Sequence, residues 1–368
     1  MRRGAGVVEK RRHCHYNNSY DYSHHRLIHA WMFCCIFKLF KSWFSLGFMK
    51  IIYLVGGVFA AWVAVSWYFW PREVADAVVY ASILVLASIG LTLAYLTTKV
   101  PNFAHGVFIN IGVVSALSVA QIYKTAPYVA LPLAVALSTA AALGLYFLLL
   151  PLYRRQSSPE VMMMATMAYN IVFIGVLNAY ADWAGRAYGI FTRGITLMPY
   201  DVSIGGQPGV YLLAPLAAVA TSAALHLFLR TKVGAALRAA VENEELARSL
   251  GINVERMYAI AWAIAGAVAG IAGVFLPLYI EATPDVGWLL LASFFAASIV
   301  GGLSNIYGAL AGGVLMGFVE VLGTVQFASL LYLLFGVPQY QVTAYRPLVP
   351  LLAIAVTLLI SPRGLLGR

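Results

Sequence analysis

The chain has 368 residues, of which 62% are hydrophobic and 10% charged, with a formal net charge of +10, whereas a soluble domain carries roughly 45–50% apolar and 25% charged residues. No water-soluble core could hide so much apolar surface, so lipid must solvate most of the protein, and continuous apolar runs about twice as long as a ~10-residue barrel strand exclude a transmembrane β-barrel. The basic residues stand at the ends of apolar runs rather than along one face, which fits membrane insertion and not nucleic-acid binding.

Residues 1–48 differ from everything after them. All three cysteines, Cys14, Cys34 and Cys35, and five of the seven histidines lie there. Nothing from Met49 onward contains a cysteine, so the membrane body has no disulfide framework and no thiolate metal site. The triplet His13–Cys14–His15 lacks a second ligand cluster at a suitable spacing, and no metal site is expected. The run from Ala30 to Phe48 is interrupted by Lys38 and Lys41 and is not followed by a small-residue cleavage site. The expected organisation is an atypical N-terminal extension over 1–48, disordered or not native with Met49 as the start, and a transmembrane domain over 49–368.

From there, windows of about 19 residues mark ten apolar runs, near 51–70, 76–97, 104–123, 129–152, 160–181, 209–229, 257–280, 288–303, 308–335 and 345–361. The expected fold is an all-α polytopic bundle of about 8–10 transmembrane helices. Between the second and third runs Pro101 interrupts the backbone, and Asn102 suits the cap of the helix that begins there. An exposed helix N-terminus beside a cavity offers free N–H groups and a positive dipole end, which suit a carboxylate. Capping alone also accounts for Asn102, and an interhelical hydrogen bond for His105. The spacing places this break near the basic end of the spans, where a gate fits better than a midplane site. Asn110, Asn170, Asn178 and Gln326 lie in or near spans and could line a polar route.

The polar segment 230–256, RTKVGAALRAAVENEELARSLGINVER, stands between two apolar runs. A plain helix–helix connection needs about two to eight residues, and this one is several times longer. Arg238 with Glu242, and Glu244 with Arg248, are spaced i,i+4 and support a short surface helix. A tight turn is expected at Gly234. Gly251 fits the position after a helix end, where positive φ costs nothing, and Asn253 fits the cap of the next span. The segment reads either as a solvated, salt-bridged surface helix or as a docking element for a soluble partner, with Gly234, Arg238, Glu242, Asn243, Glu244, Glu245 and Gly251 as its candidate residues. The sequence contains no GxxxxGKS or GxxxxGKT phosphate loop, so no cofactor is expected on this chain, and ATP, if it drives the protein, binds to another polypeptide.

Small residues recur at Ala265, Gly266, Ala269, Gly270 and Gly273, and again over 308–317, as close helix packing in lipid requires. Gly301, Gly302, Gly308, Gly312, Gly313 and Gly317 make 288–335 the stretch most open to broken or re-entrant helices. Within it, Glu320 is a carboxylate in an apolar helix, which is expensive and must face a partner or water. One isolated acid makes a poor proton relay, so a structural or pathway-lining role is expected. Arg154 and Arg155, the segment 230–256 and the tail with Arg363 and Arg368 fall on one face after ten crossings. The positive-inside rule makes that face cytosolic, together with both termini.

The stretch RTKVGAALRAAVENEELARSLGINVERMYAIAWAIAGAVAGIAG closely resembles the cytosolic loop and following helix of the permease subunits of branched-chain amino-acid ABC importers. GLTLAYLTTKVPNFAHG at 90–106, IVGGLSNIYGALAGGVLMGFVEVLG at 299–323 and SPRGLLGR at 361–368 agree in order and spacing, over roughly 76–368. With its Asn102–Gly106 signature, the chain resembles the first of the two permease types in such importers more than the second. The resemblance implies a non-enzymatic plasma-membrane permease for branched-chain or other small amino acids. It implies a second related permease or a second copy, cytosolic ATP-binding subunits and an extracellular solute-binding protein. The segment 230–256 would then be the ATPase-coupling loop, and Asn102, His105, Asn110 and Glu320 would lie on a translocation pathway or gate. The family commonly has Tyr-Gly near the end of the first motif, whereas Leu96 follows Tyr95 here, which leaves the solute open among amino acids, urea and short-chain amides.

A competing class is an ion-coupled secondary transporter or channel for a small polar solute. It needs an ion-binding cluster beside broken helices in both halves. Asn102 and Asn305 do stand at two breaks, but Glu320 is the lone clearly intramembrane acid, and the polar segment would have no purpose. An intramembrane enzyme has less support, since the spans hold no HExxH or GxSxG motif and His105 and His226 are far apart in sequence.

Overall fold

A computed structural model describes residues 56–336, 338 and 344–367, so the readings made for 1–48 lie outside the described residues. The chain divides into two compact units, 1–61 and 62–368. The first is helical over its described residues, 56–61, and the second holds the bundle.

The helices are α1 (Gly56–Phe69), α2 (Pro71–Thr98), α3 (His105–Tyr123), α4 (Leu131–Arg154) and α5 (Pro159–Tyr188), then α6 (Val210–Arg230), α7 (Lys232–Glu242), α8 (Glu244–Ser249) and α9 (Val254–Tyr279). They continue as α10 (Val286–Leu289), α11 (Leu291–Gly301), α12 (Ile306–Phe318), α13 (Thr324–Phe335) and α14 (Leu348–Ile360). A π turn, Val319–Gly323, joins α12 to α13. Proline opens α2 and α5, where its fixed φ suits the first helical position and its missing N–H costs nothing. The described strands are Ser203–Ile204 and Gln207–Pro208, paired antiparallel as one short hairpin.

The chain is an all-α polytopic bundle with, among the described residues, seven helices long and apolar enough to cross a membrane: α2, α3, α4 with its 3₁₀ lead from Pro127, α5, α6, α9 and α12–α13. The remaining three of the ten expected spans are the shorter α1, α11 and α14. In α11 the cause is local. Gly302 adopts φ +112, a conformation that side chains resist, and ends the helix after eleven residues. The stretch 288–335 therefore holds the end of α10, the short α11 and one continuous thirty-residue helix, with the last two broken from each other at 302–305.

At the centre, α2 is buried along almost its whole length, packed against α9, α12, α6 and α11, while α9 also packs on α3 and α4. The small-residue stripes serve this intramolecular packing. A Cβ at Gly273 would strike the Ile109 carbonyl of α3, and one at Gly312 the Ala297 carbonyl of α11. By contrast α5 and α6 leave apolar residues such as Ile171, Val172, Leu216 and Val219 exposed, as faces toward lipid or another span would be.

The bundle has two distinct ends. At one, α4 meets the start of α9 through Arg154 and Glu255, 2.6 Å apart, and His226 near the end of α6 bonds Tyr307 at 2.8 Å. The C-terminal tail joins the same end, where Asn305 donates to the Leu366 carbonyl at 3.2 Å. At the opposite end, 123–130, 189–209 and 280–285 meet through Tyr128 donating to Asp201 at 2.7 Å and the bridge between Ile195 and Ala282.

Candidate functional site

The polar segment 230–256 folds as two helices rather than one. Thr231 caps α7, accepting from the Gly234 N–H at 3.2 Å. The turn therefore lies at Thr231, and Gly234 belongs to the helix, where it lets α7 approach the backbone of Phe228 and Leu229. Asn243 breaks the segment and caps α8, accepting from Leu246 N–H at 2.9 Å. Gly251 closes α8 with φ +80. The N–H of Gly251 bonds the Arg248 carbonyl and that of Ile252 the Ala247 carbonyl, both at 3.0 Å, which satisfies carbonyls a helix end leaves free. Asn253 then caps α9, accepting from Arg256 at 3.0 Å.

Side chains pin this element to the bundle. Glu244 accepts from Arg248 at 2.7 Å and from the Tyr153 hydroxyl at the end of α4. Tyr258 on α9 donates to the Ala240 carbonyl at 3.1 Å, and Tyr146 on α4 donates to the Glu255 carbonyl at 2.8 Å. The expected pair between Arg238 and Glu242 does not form among the described residues. Both side chains stay in solvent, where such a pair is worth only a few tenths of a kcal/mol. Glu245 is exposed beside them, and so are Leu246 at 57% and Leu250 at 70%, two leucines one turn apart on a short polar surface. Sequence reasoning missed these leucines, and their i,i+4 spacing on the solvent face was the available signal.

The break between α2 and α3 lies deeper than expected. α2 ends with Lys99 in the left-handed conformation, and residues 99–104 run back into the bundle. The buried His105 ring donates through Nε2 to the Ala87 carbonyl at 2.9 Å. Ala87 stands eleven residues before Thr98, about 16 Å along the helix at ~1.5 Å per residue, so α3 starts near the middle of α2. Asn102 does not cap α3 directly. It accepts from Ala104 N–H at 3.0 Å, a local turn just before the helix. Asn110, in the second turn of α3, accepts from Gly287 N–H of α10 at 2.6 Å.

Each of these residues keeps a polar atom in reserve. Asn102 Nδ2, His105 Nδ1 and Asn110 Nδ2 are buried without a hydrogen-bond partner among the described residues, as is Oδ1 of Asn170 on α5. Asn178 and Gln326 are satisfied instead: Asn178 accepts from Arg193 at 2.9 Å, and Gln326 bonds Trp62 and Ser66, each at 2.8 Å.

Glu320 is separate from the break. It sits in the π turn, 2% exposed, and accepts from the Tyr80 hydroxyl at 2.8 Å. Tyr80 lies seven residues from Ala87, about 10 Å further along α2 toward the end opposite α7–α8. The charged partner of Glu320 is Arg346, whose Nε approaches within 3.3 Å and whose guanidinium stacks 4.4 Å from the Tyr80 ring centre. Sequence reasoning passed over Arg346 although it opens the last apolar run, and a lone intramembrane acid is itself a signal to look for a cation.

The match to known proteins covers the same stretch. Residues 74–359 fit the family model for the branched-chain amino acid transport system / permease component. The chain belongs to that family. It is 38% identical over 292 residues to the probable branched-chain amino acid transport permease protein LivH of Methanocaldococcus jannaschii, covering 79% of this chain and 90% of the relative. The high-affinity branched-chain amino acid transport system permease protein LivH of Escherichia coli is 27% identical over 320 residues, with 81% and 95% covered. The corresponding BraD of Pseudomonas aeruginosa is 25% identical over 342 residues, with 82% and 97% covered. The chain is thus a multi-pass membrane transport permease and not an enzyme.

Proposed function

We propose that this permease is the membrane subunit of an ATP-driven importer for branched-chain or other small amino acids, paired with a second related permease or a second copy of itself. Cytosolic subunits bind and hydrolyse ATP, no cofactor sits on this chain, and an extracellular protein delivers the solute. The observation that supports this reading best is the α7–α8 element. It is capped at Thr231, Asn243 and Asn253 and tied to α4 and α9 by Tyr153 and Tyr258, yet it turns Arg238, Glu242, Glu245, Leu246 and Leu250 outward into solvent. Exposed leucines beside charges suit a protein partner, and rigid anchoring suits passing that partner's motion to the spans.

The end that carries α7–α8, Arg154, Arg155 and the tail faces the cytosol in this reading, with both chain termini on that side. The solute passes the reserve polar atoms of Asn102, His105 and Asn110 where α3 starts inside the bundle. The relatives' names support amino acids as the cargo. A mild-detergent pulldown from native membranes with mass spectrometry tests the assembly. Recovery of an ATP-binding subunit and a permease partner is the expected result. A chain that comes down alone, yet moves solute under a proton or sodium gradient, overturns it.

A further inference from the structure

Glu320, within the α12–α13 span, and Arg346, in the turn before α14, form a charged pair that the protein leaves unfinished. Glu320 Oε1 is held by the Tyr80 hydroxyl and faces Arg346, and Ser293 stands beside the carboxylate, but Oε2 is buried with no partner in hydrogen-bond geometry among the described residues. On the cation, whose side chain is 28% exposed, the guanidinium stands beside Glu320 and Tyr279, but its Nε and Nη2 atoms are buried with no partner in hydrogen-bond geometry among the described residues. A purely structural Arg–carboxylate pair would gain most from two parallel hydrogen bonds. Here the guanidinium lies over Tyr80, with Tyr279 at 5.8 Å, and part of the hydrogen-bonding capacity of each charge is free. Leaving such groups unpaired costs more than leaving neutral ones, so something should complete them.

Both residues line a cavity of about 210 Å³ with Tyr80, Ser293 and a wall of Ile280, Leu289 and Leu290. That is smaller than the roughly 300–1,000 Å³ of sites for drug-sized ligands, so it suits a small solute. A lone cation would satisfy Glu320 and be repelled by Arg346, and a lone anion the reverse. A molecule with both charges a few ångströms apart satisfies both. We propose that this cavity binds a free neutral amino acid, its ammonium on Glu320 Oε2, its carboxylate on Arg346 and its aliphatic side chain against Ile280, Leu289 and Leu290. The choice of an amino acid among small zwitterions rests on the transport reading above. The site lies beside Tyr279 at the end of α9, so it stands toward the end opposite α7–α8, apart from the break at Asn102 and His105.

The test is equilibrium binding of tritiated leucine, valine and alanine to the purified full chain in nanodiscs, without partner proteins. Unlabelled leucine, isoamylamine (leucine without its carboxylate) and 4-methylpentanoate (leucine without its ammonium) serve as competitors. Saturable binding at millimolar concentration is expected, with each truncated analogue competing at least about tenfold worse than leucine, the loss of one charge-assisted contact. Glu320→Gln and Arg346→Gln should each weaken leucine by a similar factor. In Glu320→Gln, 4-methylpentanoate should no longer be the poorer competitor, which a merely structural role for Glu320 would not produce. Where a variant fails to fold, the analogue comparison on the unmodified chain stands alone. No saturable binding of any of the three amino acids, analogues that compete as well as leucine, or folded variants that bind normally overturn the site. Partner subunits recovered in the pulldown with no amino-acid binding would remove the site and keep the importer. Binding by a chain that comes down alone would keep the site and remove the importer.

Discussion

The surface element α7–α8 and the interior around α3 solve opposite problems with the same residue type. On the surface, Asn243 and Asn253 each spend their side-chain oxygen on a helix cap and leave the rest to water. Inside, Asn102 and Asn110 also accept from backbone N–H groups, but their amide nitrogens are buried and unpartnered among the described residues. The first region has its helix ends capped, as the proposed coupling role requires. The second holds polar capacity in reserve within tightly packed helices, as the proposed route for a polar solute requires.

The largest expected effect tests whether that interior is tight. Gly273→Leu would force α9 away from the Ile109 backbone, and overpacking of this kind costs about 3 kcal/mol or more. Detergent-solubilised protein should lose its monodisperse elution peak, and a normal peak would mean the interior is slack throughout. Next comes the surface contrast. Arg238→Glu should abolish ATP-driven uptake in the reconstituted importer while leaving membrane level and thermal stability unchanged, because the side chain stands in solvent and supports nothing in the fold. Normal uptake by that variant removes the coupling role. Asn110→Ala orphans the buried Gly287 N–H and should cost about 1–3 kcal/mol in thermal unfolding. No destabilisation would show that the α3–α10 contact is already wet. Smallest is Asn253→Ala, about 1 kcal/mol from the lost cap. Its uptake should persist at low temperature, and a complete loss would mean the α8–α9 joint is itself the moving part.

The surface element was largely legible in the sequence. Caps and helix ends are local chemistry, so Gly251 and Asn253 could be placed from their neighbours alone, and the i,i+4 spacing of Glu244 and Arg248 foretold their ion pair. Where a competing use existed, the local reading failed: Gly234 looked like a turn but serves close packing, and the turn went to Thr231. The interior was harder because its partners are remote in sequence. The depth of His105 depends on Ala87, and the charge balance of Glu320 depends on Arg346 and Tyr80. Apolar periodicity says that such helices pack in lipid but not which faces meet, and it could not tell that α11 would stop at Gly302.

The most direct test of the central claim is site-directed cross-linking in the assembled importer. Cys14, Cys34 and Cys35 are replaced by serine, and a single cysteine is placed at Leu246 on α8 or at Ser203 in the hairpin at the opposite end. A short thiol-to-amine reagent should join position 246 to the ATP-binding subunit and leave position 203 unlinked to it. Absence of that adduct from 246 in an importer that still takes up amino acid, or its formation from 203, would contradict the assignment of α7–α8 as the face that receives the ATPase.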